Sequence, residues 1–538
     1  MFEDSLEIKL KLTVGKKDLT IPGGHVKTLK LDLQPYGFSC LLTFVISTLE
    51  GREDEVFPLF VKPDLMKVRL EVESRWQERK NKPLVLQGLV TAKDILEEFI
   101  PEEIRVKGDP TFYRHYQIAF ADPAYVLWRQ HYPCDLLTNK TVKDLLDAHK
   151  GGNVSLKYDW NVLDEKHAIN TLPLGIEGSE ASFYDFVLWF VSSHDGVWSY
   201  DCSKDEYQLS KSKPDGGKSK PLDKLDVEDF LIEFPQTIRN NVAVLNSYSE
   251  KAERKVIEQE QAVDGVRHDQ LVRLPVASDL EECKKLEEQK LRIRQHEISL
   301  TFKRFSKSIP RPGSLYKFEG PGWSDKIFPH GKVYRVRNVF IDAKSMRPEL
   351  SADLYMDYAG YNIEMRSHLE LESERWVSLP PFKPPPFPIY VEGKIVSEQG
   401  AKEAETYQIY QDKETSLDQY KVAIPLWKNQ EVVVPFEPNF FTGHFYFPDY
   451  KEARVLVALD LHNGRIERFL DWRAGARLPM DTQGNHILLG KTDKSQTSVQ
   501  HVYVDDKPVL HVKRTSEKDT EMIKMVEGSL ILETKEEE

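Results

Sequence analysis

The stretch Phe112–Gly151, FYRHYQIAFADPAYVLWRQHYPCDLLTNKTVKDLLDAHKG, decides how the chain is read. It opens as a strand, with alternation through Tyr116 to Ala124. An aromatic run follows, in which Tyr125, Trp128 and Tyr132 are placed to pack between a barrel and a helix. Thr138 or Asn139 then caps a helix through Val142, Leu145 and Leu146, and Gly151-Gly152 stops it. The segment SEASFYDFVLWFVSSHDGVWSYD at 179–201 uses the same grammar with stronger signals. Ser182 and Asp185 make a capping-box start. Phe183, Phe186, Val187 and Phe190 recur at helical spacing, and Asp195-Gly196 turns the run into the strand VWSYD. The core expected here is Trp128, Leu145, Phe183, Phe186 and Phe190.

Strands lie on both sides of this helical region. Before it, LEIKLKLTV places Leu6, Ile8, Leu10 and Leu12 on one face. VKTLKLDL, SCLLTFVISTL, MKVRLEVESRW and PLVLQGLVTAKDI follow, with IPGG and QPYG as turns. After it, strands return in NNVAVLNSY and DQLVRLP. The charged KAERKVIEQEQAVDG between them reads as a solvated excursion, and 279–295 as a helix. HEISLTFKRF, PRPGSLYKFEG and KVYRVRNVFIDA complete a second β-rich unit. Residues 377–388, VSLPPFKPPPFP, hold six prolines and read as a stiff connector. IYVEGKIVS, YQIYQD, QYKVAIPLW, EVVVPF and ARVLVALDL then suit a small OB-like barrel. HILLG, SVQHVYVD, KPVLHVKR and GSLILETK are short regular strands ahead of a frayed Lys-Glu-Glu-Glu end.

Composition narrows the function. The chain has 538 residues, room for three or four domains, with 40% hydrophobic and 11% aromatic residues. A net charge of -13 argues against nucleic-acid binding, which needs a basic surface. Cys40, Cys134, Cys202 and Cys283 form no CxxC pair, so free thiols in a reducing cytoplasm are expected. The start, MFEDSLEIKLKLTV, lacks a basic and apolar leader, and no run approaches a membrane span.

Catalytic patterns are weak. His296-Glu297 is no HExxH motif, because position 300 is Leu, and its alternation places His296 on an exposed strand face or edge. His194-Asp195 reads as a helix C-terminal turn. His501 and His511 lie in the terminal strands, either on solvated faces or meeting a symmetry mate or metal. Gly23-Gly24 and Gly151-Gly152 are turn glycines without P-loop context, and no GxSxG elbow occurs. No catalytic residue, cofactor or metal site is expected.

The order of these segments resembles the hub proteins of type VI secretion systems, the VgrG family. The resemblance falls on Tyr116, Leu127-Trp128 and Asn139-Lys140-Thr141-Val142, then on Ser182, Asp185, Phe186, Phe190, Gly196 and Tyr200. VLQGLVTAKDI at 85–95, the helix at 279–295 with RPGSLYKF and VYRVRNVFI, and the OB-like region continue it over about residues 1–475. The family shares its architecture with the central hubs of contractile phage tails. The resemblance implies a mainly β fold with an α+β insert: two tandem β-barrel hub domains, an OB-fold barrel and a short C-terminal trimeric β-prism. The expected divisions are 1–120 (first barrel), 121–235 (α/β region), 236–376 (second barrel), 377–388 (linker), 389–475 (OB-fold) and 476–538 (spike base).

It also implies a homotrimer whose six barrels dock on a hexameric inner-tube protein. Baseplate wedge proteins, effectors and a separate PAAR-like tip protein are the further partners. The subunit would be made in the cytoplasm, assembled in a baseplate and driven across a target envelope on contraction. Tip docking is expected near Gly528, Leu530 and Leu532. The excursion near 250–262 and the short segment after the OB region depart from the family, so a catalytic spike extension is not expected. Two other readings stay open: a cell-wall hydrolase carried on a tail-like scaffold, and a carbohydrate-binding adhesin of β-domains.

Overall fold

The computed structural model describes residues 1–48, 53–76, 83–100, 111–274, 276–292, 294–306, 309–320, 322–398, 410–411, 413, 418–436, 451–471, 485–492 and 494–536. The chain is mainly β. It divides into two compact units: Met1–Pro133, Leu146–Asp164 and Glu177–Pro385 form the first, and Cys134–Leu145, Glu165–Ile176 and Pro386–Glu538 the second.

The first unit is built on strands whose apolar residues alternate. Leu6, Ile8, Leu10 and Leu12 are all buried, as their spacing requires. Their strand, Phe2–Val14, pairs with Met66–Ser74, and the antiparallel ladder continues through Leu84–Ile100, Thr111–Ala121, Gly37–Ser47 and Val26–Gln34. Two later strands, Val333–Ser345 and Tyr358–Leu371, close the ring onto Val26–Gln34 and Phe2–Val14. The result is an eight-stranded closed barrel. Residues 1–120 supply six of its strands, and the closing pair comes from beyond residue 330.

That closing pair runs past the ring and founds a second, open half-barrel. Glu297–Phe302 and Val227–Glu233 extend it on one side, Leu315–Lys317 and Lys220–Pro221 on the other. One core serves both sheets, with Leu31, Phe44 and Tyr116 in continuity with Phe302, Phe318 and Tyr334. At Gly24 the barrel end meets the 353–357 turn so closely that a Cβ would lie 1.9 Å from the Asp353 carbonyl oxygen. Here the glycine admits a neighbouring backbone, where the sequence suggested only a turn.

The segment 251–265 is not wholly a solvated excursion. Glu253–Ile257 is a strand that pairs with Asn241–Asn246, which also pairs with Arg267–Val272. The helix Ala277–Lys290 packs on this small sheet through Lys255–Glu281 (2.9 Å) and Gln270–Glu287 (2.7 Å). Its many charges are partners in ion pairs, which hid the strand from a hydrophobic count.

In the second unit, Asp418–Ile424, Ile389–Ile395, Arg454–Leu459 and Gly464–Asp471 form the OB-like sheet. Gln430–Pro435 pairs with Asp418–Ile424, and a bridge from Phe436 to Ile466 turns the sheet toward closure. Of the expected strand YQIYQD only Tyr410–Gln411 lies within the described residues. The hairpin Cys134–Thr141 with Lys166–Pro173 packs on this sheet, adding Leu136 and Ile169 to its core. Gln430 fastens it, accepting from the Thr138 backbone N–H at 3.1 Å and donating to the Leu136 carbonyl at 2.7 Å.

Residues 134–141 are therefore strand, and Thr138 and Asn139 do not cap a helix. The helix is Val142–His149, and its cap is Thr141: its Oγ1 accepts from the Asp144 N–H, and Asp144 accepts from the Thr141 N–H. Asn139 instead adopts a left-handed backbone, φ 55°.

Candidate functional site

The helix Phe183–Ser193 forms as its sequence dictates. Ser182 accepts from the Asp185 N–H, and Asp185 accepts from the Ser182 N–H at 2.9 Å. Its apolar face is buried, with Phe183 and Phe186 at 0% exposure and Phe190 at 2%. Phe186 sits between the rings of Phe183 (6.2 Å) and Phe190 (6.4 Å). Trp128 meets Phe183 edge-on at 5.0 Å and Trp198 at 5.7 Å, and its indole N–H donates to the Lys150 carbonyl. Leu145 is fully buried on the helix Val142–His149. Tyr125 and Tyr132 depart from expectation. They are 37% and 46% exposed, so of the three aromatics only Trp128 is packed inside.

One residue of this region was missed. Asp122 ends the strand Thr111–Ala121 and caps the helix Pro123–Trp128. The Asp-Pro pair was the available signal, an N-cap followed by proline at the first helical position. Its carboxylate accepts from Tyr125 N–H (3.0 Å), Phe38 N–H (3.2 Å) and the Tyr207 hydroxyl (2.5 Å). A Cβ on Gly37 would lie 2.3 Å from Asp122 Oδ2, so glycine makes room for the carboxylate. Burial pushes the Asp122 carboxyl up to about 6 from 3.8, against the pull of these hydrogen bonds.

The raised value has a sign. Between about 4 and 6 the folded protein holds a proton that the unfolded chain has released. This contribution to stability is full below the unfolded value and is lost as pH rises through about 6. Asp122→Asn carries no such proton. The stability of the natural protein relative to this variant should fall by about 2 kcal/mol between pH 4 and pH 6.5. Urea unfolding of both at several pH values checks it, and a difference that stays flat would count against a proton held at Asp122.

His296 is buried, in contrast to the exposed position expected, and its Nε2 lies 2.9 Å from the Tyr334 hydroxyl. Burial lowers its proton affinity, with Lys332 adding repulsion. It directly precedes the strand Glu297–Phe302, whose residues are all buried or half-buried, so period-2 spacing could not say which face was wet. Glu297 is also buried and pairs with Arg337 at 2.6 Å. His194 caps the helix end, and Asp195, φ 59°, makes the turn. Among the described residues no group of three or more His, Cys, Asp or Glu could hold a metal ion. No helix among them is long and apolar enough to cross a membrane.

The terminal strands form a five-stranded antiparallel meander: Asn485–Thr492, Ser495–Val504, Lys507–Ser516, Asp519–Val526 and Ser529–Lys535. Asp505 and Asp506 both have positive φ in a two-residue turn, and Gly528, φ 68°, sits in the last turn. Such turns fix the register. Paired residues share a face, so Ile487, Val499, Val512, Ile523 and Leu532 form one apolar row across all five strands. Leu510, Met525 and Leu530 form the next row on that face. The opposite face mixes Lys513, Lys524 and Lys535 with Leu488, Val502, Met522, Ile531 and the buried Val509. Ile523 is 40% exposed, Leu530 63% and Leu532 73%. His501 lies on the apolar face and His511 on the opposite one; burial and two nearby lysines lower the proton affinity of His511.

No protein-family model matches the chain, and no curated protein matches it either. Solved structures do. A chain of the Francisella PdpA-VgrG complex, half-lidded, superposes with a TM-score of 0.72 and 13% identity, covering 99% of this chain and 88% of that one. The lidless PdpA-VgrG complex gives 0.70 and 14% identity, covering 100% and 99%. The E. coli c3393 protein, a component of the type VI secretion system, gives 0.46 and 13% identity over 86% of this chain and 100% of that one. This chain has the fold of a chain in the PdpA-VgrG complex.

Proposed function

We propose that the chain is the structural hub and spike-base subunit of a contractile, phage-tail-like injection machine and carries out no catalysis. The terminal meander carries this reading. A sheet with two apolar rows running across one face, with Ile523, Leu530 and Leu532 exposed in a single chain, is suited to a threefold bundle in which such faces meet. The whole-length likeness to a chain of the PdpA-VgrG complex supports the same role. In this reading three chains offer six β-barrel-type edges to a hexameric inner-tube protein and adapt sixfold to threefold symmetry. The last hairpin, with Gly528, Leu530 and Leu532, receives a separate PAAR-like tip protein, and wedge proteins hold the hub in the baseplate until contraction delivers effectors.

Light scattering on the purified chain should give the mass of three copies; a stable monomer with the meander intact would overturn the reading. A zymogram on purified cell wall should show no clearing. Clearing that one acidic substitution abolishes would replace the hub with a hydrolase.

A further inference from the structure

In the first unit, a cleft of about 450 Å³ lies between the strand Val197–Asp201 and the segments around Arg311 and Arg335. Its size is that of a small-ligand site. Trp198 and Tyr200 line it, and the buried indole N–H of Trp198 has no hydrogen-bond partner among the described residues.

The charges lining the cleft are mostly paired off. Lys213 meets Glu370 at 2.5 Å, Asp201 meets Lys204 at 3.0 Å, Glu206 meets Lys157 at 2.8 Å and Arg337 meets Glu297 at 2.6 Å. Asp215, exposed at the rim, accepts from the Gly217 N–H. Two guanidinium groups are left over. Arg335 donates to the carbonyls of Pro214 (2.7 Å) and Gly313 (3.4 Å), and Arg311 to the carbonyl of Pro83. Neither forms an ion pair among the described residues, and the buried Nε of Arg335 has no partner. The segments that carry them are tied together, because Gly313 N–H donates to Val336 O and Val336 N–H to Ser314 O, both at 2.8 Å.

We propose that this cleft binds an oxyanion, a carboxylate or phosphate group, through Arg311 and Arg335. A guanidinium that forms no ion pair takes a planar two-oxygen acceptor in a fork, a geometry that water or a single carbonyl does not complete. The aromatic wall and the free indole N–H receive the body of the ligand. In a chain of net charge -13, two guanidinium groups without an ion pair in one cleft are a local exception. The oxyanion can come from a free small molecule or from an acidic peptide segment.

Isothermal titration of the full chain with inorganic pyrophosphate and, separately, with tetraglutamate tests the proposal. Saturable binding of at least one probe at millimolar concentration or below is expected. Pyrophosphate alone would mark a free oxyanion as the ligand, tetraglutamate alone a peptide acid. Arg335→Gln and Arg311→Gln should each weaken binding about tenfold or more, while Arg347→Gln, on an exposed side chain far from the cleft lining, should not. Should Arg335→Gln fail to fold, Arg335→Lys keeps the charge, loses the fork and should show the same loss. Absence of saturable binding for both probes, or equal losses in all variants including Arg347→Gln, would overturn the site.

Discussion

Phe186→Ala is expected to remove about 3–5 kcal/mol of stability. The side chain is fully buried, and its ring lies among those of Phe183, Trp189 and Phe190. Truncation deletes a benzyl group from a close-packed aromatic layer whose neighbours are held by their own contacts, so the cavity cannot collapse. Trp128, for example, is fixed by its bond to the Lys150 carbonyl. Tyr125→Ala, at a partly exposed position, should cost far less, within about 1 kcal/mol. Urea unfolding of the three proteins gives the comparison; a midpoint for Phe186→Ala equal to that of the natural protein would show that the helix face carries no core.

The second large effect concerns assembly. Ile523→Asp together with Leu532→Asp should reduce the proposed trimer to single chains. Both residues stand in the apolar row that crosses the meander. A carboxylate there would be buried without a partner, and symmetry repeats the cost in every copy. Lys513→Asp, on the opposite face, should leave the mass unchanged. Deleting 490–538 should act like the double substitution. If the truncated protein keeps its oligomeric state and thermal stability, the meander is not what joins the copies.

Much of the architecture was legible because strand alternation and capping boxes are local. Leu6 to Leu12, the start at Ser182 and the turn at Asp195-Gly196 appear where the residues put them. What escaped was decided at long range. That Val333–Ser345 and Tyr358–Leu371 complete the first ring depends on partners more than 300 residues away. The hairpin Cys134–Thr141 reads as a helix entry because Thr138 and Asn139 are good caps, yet Gln430 claims its backbone. His296 reads as wet from the alternation of Ile298, Leu300 and Phe302 after it, and the Phe328 ring beside it could not be anticipated from local sequence. Leu530 and Leu532, proposed for docking and assembly, alternate in the sequence and share one face in the register, with Gly528 in the turn before their strand. Arg311 and Arg335 gave no sequence signal, since a cleft is made by what neighbours leave unpaired.

The ring closed by late strands sets a timetable for synthesis. Phe2–Glu7 finds its partner in Tyr358–Ile363, some 350 positions downstream. At about 5–20 residues per second a ribosome needs on the order of 20–70 s to deliver that partner. Throughout the interval one flank of Phe2–Glu7, and one flank of Val26–Gln34, remain unsatisfied edges open to other nascent chains. Expression yield should thus depend on translation speed and on holding chaperones more than the stability of the finished barrel would suggest.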